Sequence, residues 1–130
     1  MTAARAAVAT VAVVVLAWLG VQERNTRLLA TGTAAAQDLA APGAAARAEA
    51  DFRDARLLTP DTAPDVNRAF LLRATDRRDE AIALLEDVVR REPDNLNAWG
   101  VLAVFARDGD PGAVERAQAA RARLDPLSAR

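Results

Sequence analysis

The sequence lacks cysteine, histidine, tyrosine and lysine, and its only serine is Ser128, two positions before the last residue. Without cysteine, the chain forms no disulfide bond and offers no thiolate ligand to a metal ion. The missing side chains are also those that enzymes most often use as bases and nucleophiles near neutral pH. Catalysis would rest on carboxylates, arginines and threonines alone, so we expect no catalytic residues, no cofactor and no metal site.

Positive charge is not in excess either. The chain carries 17 Arg and 18 Asp plus Glu, and from residue 31 onward the balance is 14 Arg against 17 acidic residues. Nucleic-acid binding needs a cationic surface, which this composition does not supply. The two signs alternate along the chain, as they do on solvated helix faces. We therefore expect no nucleic-acid partner.

The acidic clusters have simpler explanations than a metal or an active site. The stretch 107–112 resembles the start of a calcium loop, but Ala119 stands where the loop requires Glu. The carboxylates between residues 79 and 92 alternate with arginines, which predicts an exposed helix face with pairs such as Glu86 with Arg90.

Residues 6–22, "AAVATVAVVVLAWLGVQ", carry no charge. As a helix they would be roughly 26 Å long, close to a hydrocarbon layer of about 30 Å. We interpret them as an uncleaved transmembrane signal-anchor that continues to about residue 30, after a cytoplasmic tail at residues 1–5. A cleaved signal peptide and a buried core helix are the alternatives. A short tail is easily left inside the cell, so the remainder is expected outside the plasma membrane.

Beyond this segment, Gly32 is expected to interrupt the helix. Residues 31–43 are rich in alanine and contain Pro42 and Gly43. They are predicted to be a linker or, alternatively, a short helix that ends in a Pro-Gly turn.

Hydrophobic residues make up 52% of the chain, and many of them are alanine, which favours helices. A regular spacing of prolines indicates how these helices are arranged. Pro60, Pro93 and Pro126 are spaced 33 residues apart, which indicates a repeated supersecondary unit. At equal distances before two of these prolines, small and large apolar residues share one helical stripe: Ala48, Phe52 and Ala55 before Pro60, and Ala81, Leu85 and Val88 before Pro93.

Five helices are predicted after the anchor, near residues 45–58, 65–75, 79–92, 96–107 and 111–124. Pro64 and Pro111 suit first-turn positions, and Asn95 and Asp110 suit N-caps. Because the connections are short, neighbouring helices must be antiparallel.

With this pattern, residues 44–126 resemble tetratricopeptide repeats, which are stacked helix hairpins of about 34 residues. "DEAIALLEDVVRREPDN" matches with Ala81, Leu85 and Pro93, although Val88 stands where the family prefers Ala. "NAWGVLAVFA" resembles the next first helix, with Trp99, Leu102 and Ala103 at the family's aromatic, Leu and small positions. The fold expected is all-α: a transmembrane helix, a short stack of antiparallel hairpins and a tail at 127–130.

The resemblance implies binding of a protein or peptide along the groove side of the first helices. The expected lining is Arg68 and Leu72 in one repeat and Asn97, Gly100, Val104 and Arg107 in the next. The two arginines would suit an acidic or C-terminal peptide, although arginines on helices are more often there for solubility. Aromatic residues at this spacing are more often core, so Phe52, Phe70 and Trp99 are predicted to be core residues.

We therefore expect a non-catalytic, membrane-anchored interaction module. An arginine-rich composition without lysine suggests a bacterial protein, and analogy points to an accessory of envelope or polysaccharide assembly at the plasma membrane. The alternative is a self-associating membrane scaffold, a homo-oligomer without an external peptide ligand.

Overall fold

The computed structural model describes residues 2–37, 39 and 41–126, with side chains from residue 12 onward. Within these ranges the chain forms six helices and no strand. They are α1 (Thr2–Gln37), α2 (Ala44–Leu58), α3 (Ala63–Ala74), α4 (Arg78–Arg91), α5 (Leu96–Ala106) and α6 (Pro111–Leu124). The all-α prediction is confirmed, and the five predicted helices after residue 44 begin and end within two residues of their expected positions.

Consecutive helices pack against each other in pairs, and α3 also contacts both α1 and α5. The chain therefore forms two layers, with α1, α3 and α5 in an inner layer and α2, α4 and α6 in an outer layer. This alternation is what stacked hairpins require, because each hairpin has two apolar sides and needs a neighbour on each.

The core lies between the two layers. Most of the residues predicted to pack the repeats are buried: Ala48, Phe52, Ala55, Ala81, Leu85, Val88, Leu102 and Ala103. Pro60 and Pro93 are exposed just after the ends of α2 and α4, where a proline stops the helix without entering the core. Trp99 is half-buried, and its indole N–H donates a 2.8 Å hydrogen bond to the carbonyl of Pro93.

The joint between α4 and α5 connects two successive repeats. Asn95 caps α5 by accepting a hydrogen bond from the backbone N–H of Ala98, and its amide donates to Thr62 and Glu92 at 3.0 and 2.8 Å. The buried Thr62 hydroxyl donates to Glu92 at 2.5 Å. Thr62 and Asn95 precede α3 and α5 at the same place in the 33-residue period, so one hydrogen bond joins equivalent positions of the two repeats.

The prediction that Gly32 interrupts the first helix is wrong, because α1 continues to Gln37. Gly32 is buried, and a Cβ at this position would lie 2.8 Å from Cε1 of Phe52. The glycine therefore lets the ring of Phe52 lie directly against the backbone of α1. Of the predicted linker, residues 31–37 belong to α1 and residues 41–43 form the turn into α2, where Gly43 adopts a φ of 72°.

In the described part of the chain, no helix combines the length and the apolar character that a membrane crossing requires. Residues 6–11 of the predicted anchor lie outside the residues whose side chains are described. The transmembrane prediction thus receives no support from the described residues.

Helix α1 is much longer than its partner α2, about 54 Å against about 22 Å at 1.5 Å per residue, with 36 and 15 residues respectively. The described residues 12–21, here called the apolar arm, are all exposed. Val13 is 65% exposed, Leu16 67% and Trp18 59%. Since these residues point in different directions around the helix, the rest of the fold covers no side of the arm.

Candidate binding groove

The inner layer forms a groove that consists of two adjoining depressions. The first lies along α5 and has a volume of about 570 Å³. It is lined by Phe70, Leu96, Asn97, Gly100, Val101, Val104, Phe105 and Arg121. The second lies between α1 and α3 and has a volume of about 350 Å³. It is lined by Thr33, Ala36, Gln37, Phe52, Asn67, Phe70, Leu71 and Ala74.

Phe70 belongs to both depressions and separates them. Its ring is 50% exposed and meets the edge of Phe105 in a T-shaped contact with 5.3 Å between ring centroids. Val104 is 56% exposed and Leu96 39%. An apolar surface of this kind, formed on rigid helices, suits apolar side chains of a partner.

The lining is nearly free of charge. Arg121 is the one charged side chain among the residues that line the two depressions, and it reaches the groove from α6. Gln37, Asn67 and Asn97 supply amide groups from the three inner helices. Amides offer both donors and acceptors, so they can hydrogen-bond to the backbone of a bound segment.

The predicted groove residues divide into two sets. Asn97, Gly100 and Val104 line the first depression together, while Arg107 is exposed at the end of α5 and lies outside the lining. Leu72 is 1% exposed and belongs to the core.

Arg68 also lies elsewhere, because its guanidinium donates to Glu49 of α2 at 2.8 Å. The expectation that Arg68 and Leu72 line the groove is therefore corrected. Both residues were placed one position away from the proline period: 33 residues before Gly100 and Val104 stand Asn67 and Leu71, which do line the second depression. A shift of one residue turns a helical side chain by about 100°, which moves it from the groove to a helix interface.

Several residues that line the groove are not predicted by the sequence pattern. Phe70 was expected in the core, and it is the most exposed aromatic residue of the groove. Its position three residues after Asn67 places it on the groove side of α3. The 33-residue period alone would not have located it, because the equivalent residue of the next repeat, Ala103, is buried. Thr33, Ala36 and Gln37 were missed because α1 was expected to end before them. Arg121 was missed because it lies on an outer helix.

Carboxylates on α2 and α3 hold neighbouring helices together through arginines. Glu49 accepts hydrogen bonds from Arg68 and from Arg77, the latter at 2.8 Å. Burial alone would raise the pKa of Glu49, but the hydrogen bonds and charges of Arg68 and Arg77 outweigh it and hold this pKa below its ordinary value of 4.5. The buried Asp65 carboxylate likewise binds Arg56 at 3.0 Å and Arg91 at 2.6 Å.

The acidic residues of α4 form ion pairs as well. Glu86, expected to pair with Arg90 on its own helix, instead binds Arg116 of α6 at 2.8 Å, while Arg90 binds Asp87. Among the residues that the structure describes, no three acidic side chains lie close enough together to hold a metal ion. The groove is therefore the feature best suited to a function.

Comparison with known families gives a match to a repeat family. Residues 65–105 match the family model for the tetratricopeptide repeat, and this range covers most of α3, all of α4 and most of α5. The resemblance noted from the sequence is thereby confirmed over these residues, which are less than half of the 130-residue chain. No curated protein matches the chain.

Proposed function

We propose, from the tetratricopeptide-repeat match of residues 65–105 and the groove that α1, α3 and α5 form, that the protein is a non-catalytic module that binds a segment of another protein. The observation that carries the proposal is the exposure of Phe70 and Val104 on the inner layer, next to two depressions. These side chains contribute little to the core, so their exposure is better explained by a partner than by folding. The scarcity of nucleophiles and bases in the sequence supports the non-catalytic part.

A photo-crosslinking amino acid at position 104, in the cells that make the protein, tests the groove. Light should attach a partner protein to this variant, because the side chain at Val104 points into the first depression. The matched control carries the same amino acid at Leu57, which is 81% exposed on α2 and outside the groove. Products that are equally abundant from both positions would contradict binding in the groove.

A substitution that fills the groove gives an independent test. A Cβ on Gly100 would meet no atom within 4 Å, so Gly100→Leu can fill the first depression without disturbing the fold. We expect the crosslink from position 104 to disappear in this variant while its far-UV circular dichroism stays unchanged. A crosslinked partner that persists at full yield would locate the contact elsewhere.

We also propose that residues 6–22 attach the protein to the bacterial plasma membrane, with the helical stack outside the cytoplasm and a role in envelope assembly. The full exposure of the apolar arm supports attachment, because ten consecutive uncharged residues in water are unfavourable. Fractionation tests this: the protein should sediment with membranes and resist extraction at high pH, and protease added to spheroplasts should digest the stack. Recovery in the soluble fraction would exclude attachment.

A self-associating scaffold is the second candidate, and the same arm favours it, since a bundle of arms would also cover all of its sides. Sedimentation of the full chain in non-ionic detergent distinguishes the two. A scaffold predicts an oligomer that Leu16→Asp dissociates and Gly100→Leu leaves intact. A monomer in detergent would exclude the scaffold.

A further inference from the structure

The arginines of the stack differ in whether they have a partner within the protein. Among the described residues 44–126, most guanidinium groups reach a carboxylate or a backbone carbonyl within 4.0 Å. Three do not, and no carboxylate of the described chain lies within ion-pair distance of them: Arg73, Arg107 and Arg121. Their charges are available to a ligand.

One of these arginines lines the groove, and the other two lie on the helices that form it. Arg121 lines the first depression. Arg73 follows Phe70 by three residues on α3, and Arg107 follows Val104 by three residues at the end of α5. Residues three apart lie on the same side of a helix, so Arg73 and Arg107 each stand one turn beyond an exposed apolar side chain of the groove.

The three positions also surround the apolar lining. α6 runs antiparallel to α5, so Arg121 lies towards the beginning of α5, near Leu96 and Asn97. Arg107 lies at the other end of α5. A segment lying along the first depression therefore meets uncharged, mostly apolar surface in the middle and an arginine towards each end.

We infer that the partner segment bound in this groove is apolar in its centre and acidic at its flanks. This inference rests on the proposed function and adds the chemistry of the partner. Carboxylates at the flanks would pair with guanidinium groups that the protein itself leaves without anions. Apolar side chains would fill the depressions on either side of Phe70.

The observations disfavour two other occupants. The apolar arm of a second copy is flanked by Arg5 and by Arg24 and Arg27, so it would bring like charges towards the arginines of the groove. A nucleic acid would place charged phosphates over an apolar floor, on a protein with a net charge of −1.

Selection from a random twelve-residue peptide display library tests the inference directly. The full chain, in non-ionic detergent, is the target, and the Gly100→Leu chain is used to remove peptides that bind outside the groove. The enriched peptides should have two or more large apolar residues in the centre and an excess of Asp and Glu at the ends. The strongest binder is then synthesised with a fluorescent label, and its Kd is measured by fluorescence anisotropy.

Charge reversal supplies the second measurement. The triple variant Arg73→Glu, Arg107→Glu, Arg121→Glu should weaken binding at least tenfold and remove most of its salt dependence. The matched control reverses Arg53, Arg90 and Arg116, three exposed arginines on outer helices that pair with carboxylates. It makes the same change in net charge and should alter Kd less than threefold.

The outcomes separate the two proposals. If no peptide distinguishes the native chain from Gly100→Leu, both the groove and the inference fail. If groove-dependent peptides are enriched without acidic flanks, or if the two triple variants weaken binding equally, the groove stands and the acidic partner is excluded. Circular dichroism checks that both triple variants remain folded. If a triple variant does not fold, its three single charge reversals are measured instead.

Discussion

Replacing Gly32 with alanine should destabilise the protein, although the same change stabilises most helices. Glycine in a helix interior costs about 1 kcal/mol relative to alanine. At this site, however, the added methyl would lie 2.8, 3.0 and 3.2 Å from three ring carbons of Phe52. Phe52 is 2% exposed and packs against Leu71 and Ala48, so its ring cannot turn away without losing burial. Overpacking of this kind costs about 1–3 kcal/mol.

The net expectation is a loss of up to about 2 kcal/mol for Gly32→Ala. The control is Gly100→Ala, where the added methyl meets no atom within 4 Å and stability should rise by up to about 1 kcal/mol. Urea unfolding of the full chain in non-ionic detergent, followed by circular dichroism, measures both. In a Phe52→Leu background, Gly32→Ala should lose most of its cost. Equal stabilisation by the two alanine substitutions would refute the close packing of Phe52 on α1.

Three further substitutions probe the joints of the stack. Asn95→Ala removes the cap on Ala98 and the link between repeats, and should lower the free energy of unfolding by about 1–2 kcal/mol; an unchanged urea midpoint would contradict this. The pKa of Glu49 is lowered on folding, so its contribution is present in full above pH 4.5 and is lost as the pH falls through the lowered pKa of the folded state. Glu49→Gln should therefore lower stability more at pH 7 than at acidic pH below 4.5, and an equal loss at both would exclude the ion pairs as the cause. Asp65→Ala should cost about 1–3 kcal/mol in thermal unfolding because Arg91 loses its buried partner, and a Tm within 1 °C, a shift of roughly a few tenths of a kcal/mol, would show that the pair contributes nothing.

The local signals of the sequence predicted the helices after residue 44 well. A few neighbouring residues are enough to recognise helix-ending prolines and the N-caps Asn95 and Asp110. The 33-residue period then relates the helix positions of one repeat to those of the next. The role of Gly32 was not accessible in this way. The contact that requires glycine here is with Phe52, which is twenty residues away and meets Gly32 only after α1 and α2 have packed.

The sequence predicted groove residues of α5 but not those of α3, again because local signals were available for only one of the two helices. Asn97, Gly100 and Val104 could be placed because Trp99 fixes the orientation of α5. No equivalent aromatic residue fixes α3, and an offset one residue short of the proline period placed Arg68 and Leu72 in the groove. Arg121 belongs to an outer helix, and only the packing of α6 against α5 brings it to the lining. A period therefore locates helices more reliably than it orients their side chains.

The residues that stabilise the fold are buried, whereas the residues proposed to bind a partner are exposed. Leu72, Leu85 and Leu102 are at most 1% exposed and hold the two layers together, so truncating any of them to alanine should cost about 2–5 kcal/mol. Phe70 and Val104 keep half or more of their surface in water, and the apolar area that their replacement would expose is correspondingly small. Substitutions in the groove can therefore abolish the binding of a partner while leaving the helical stack folded, and this difference is what makes the proposed function open to a clean test.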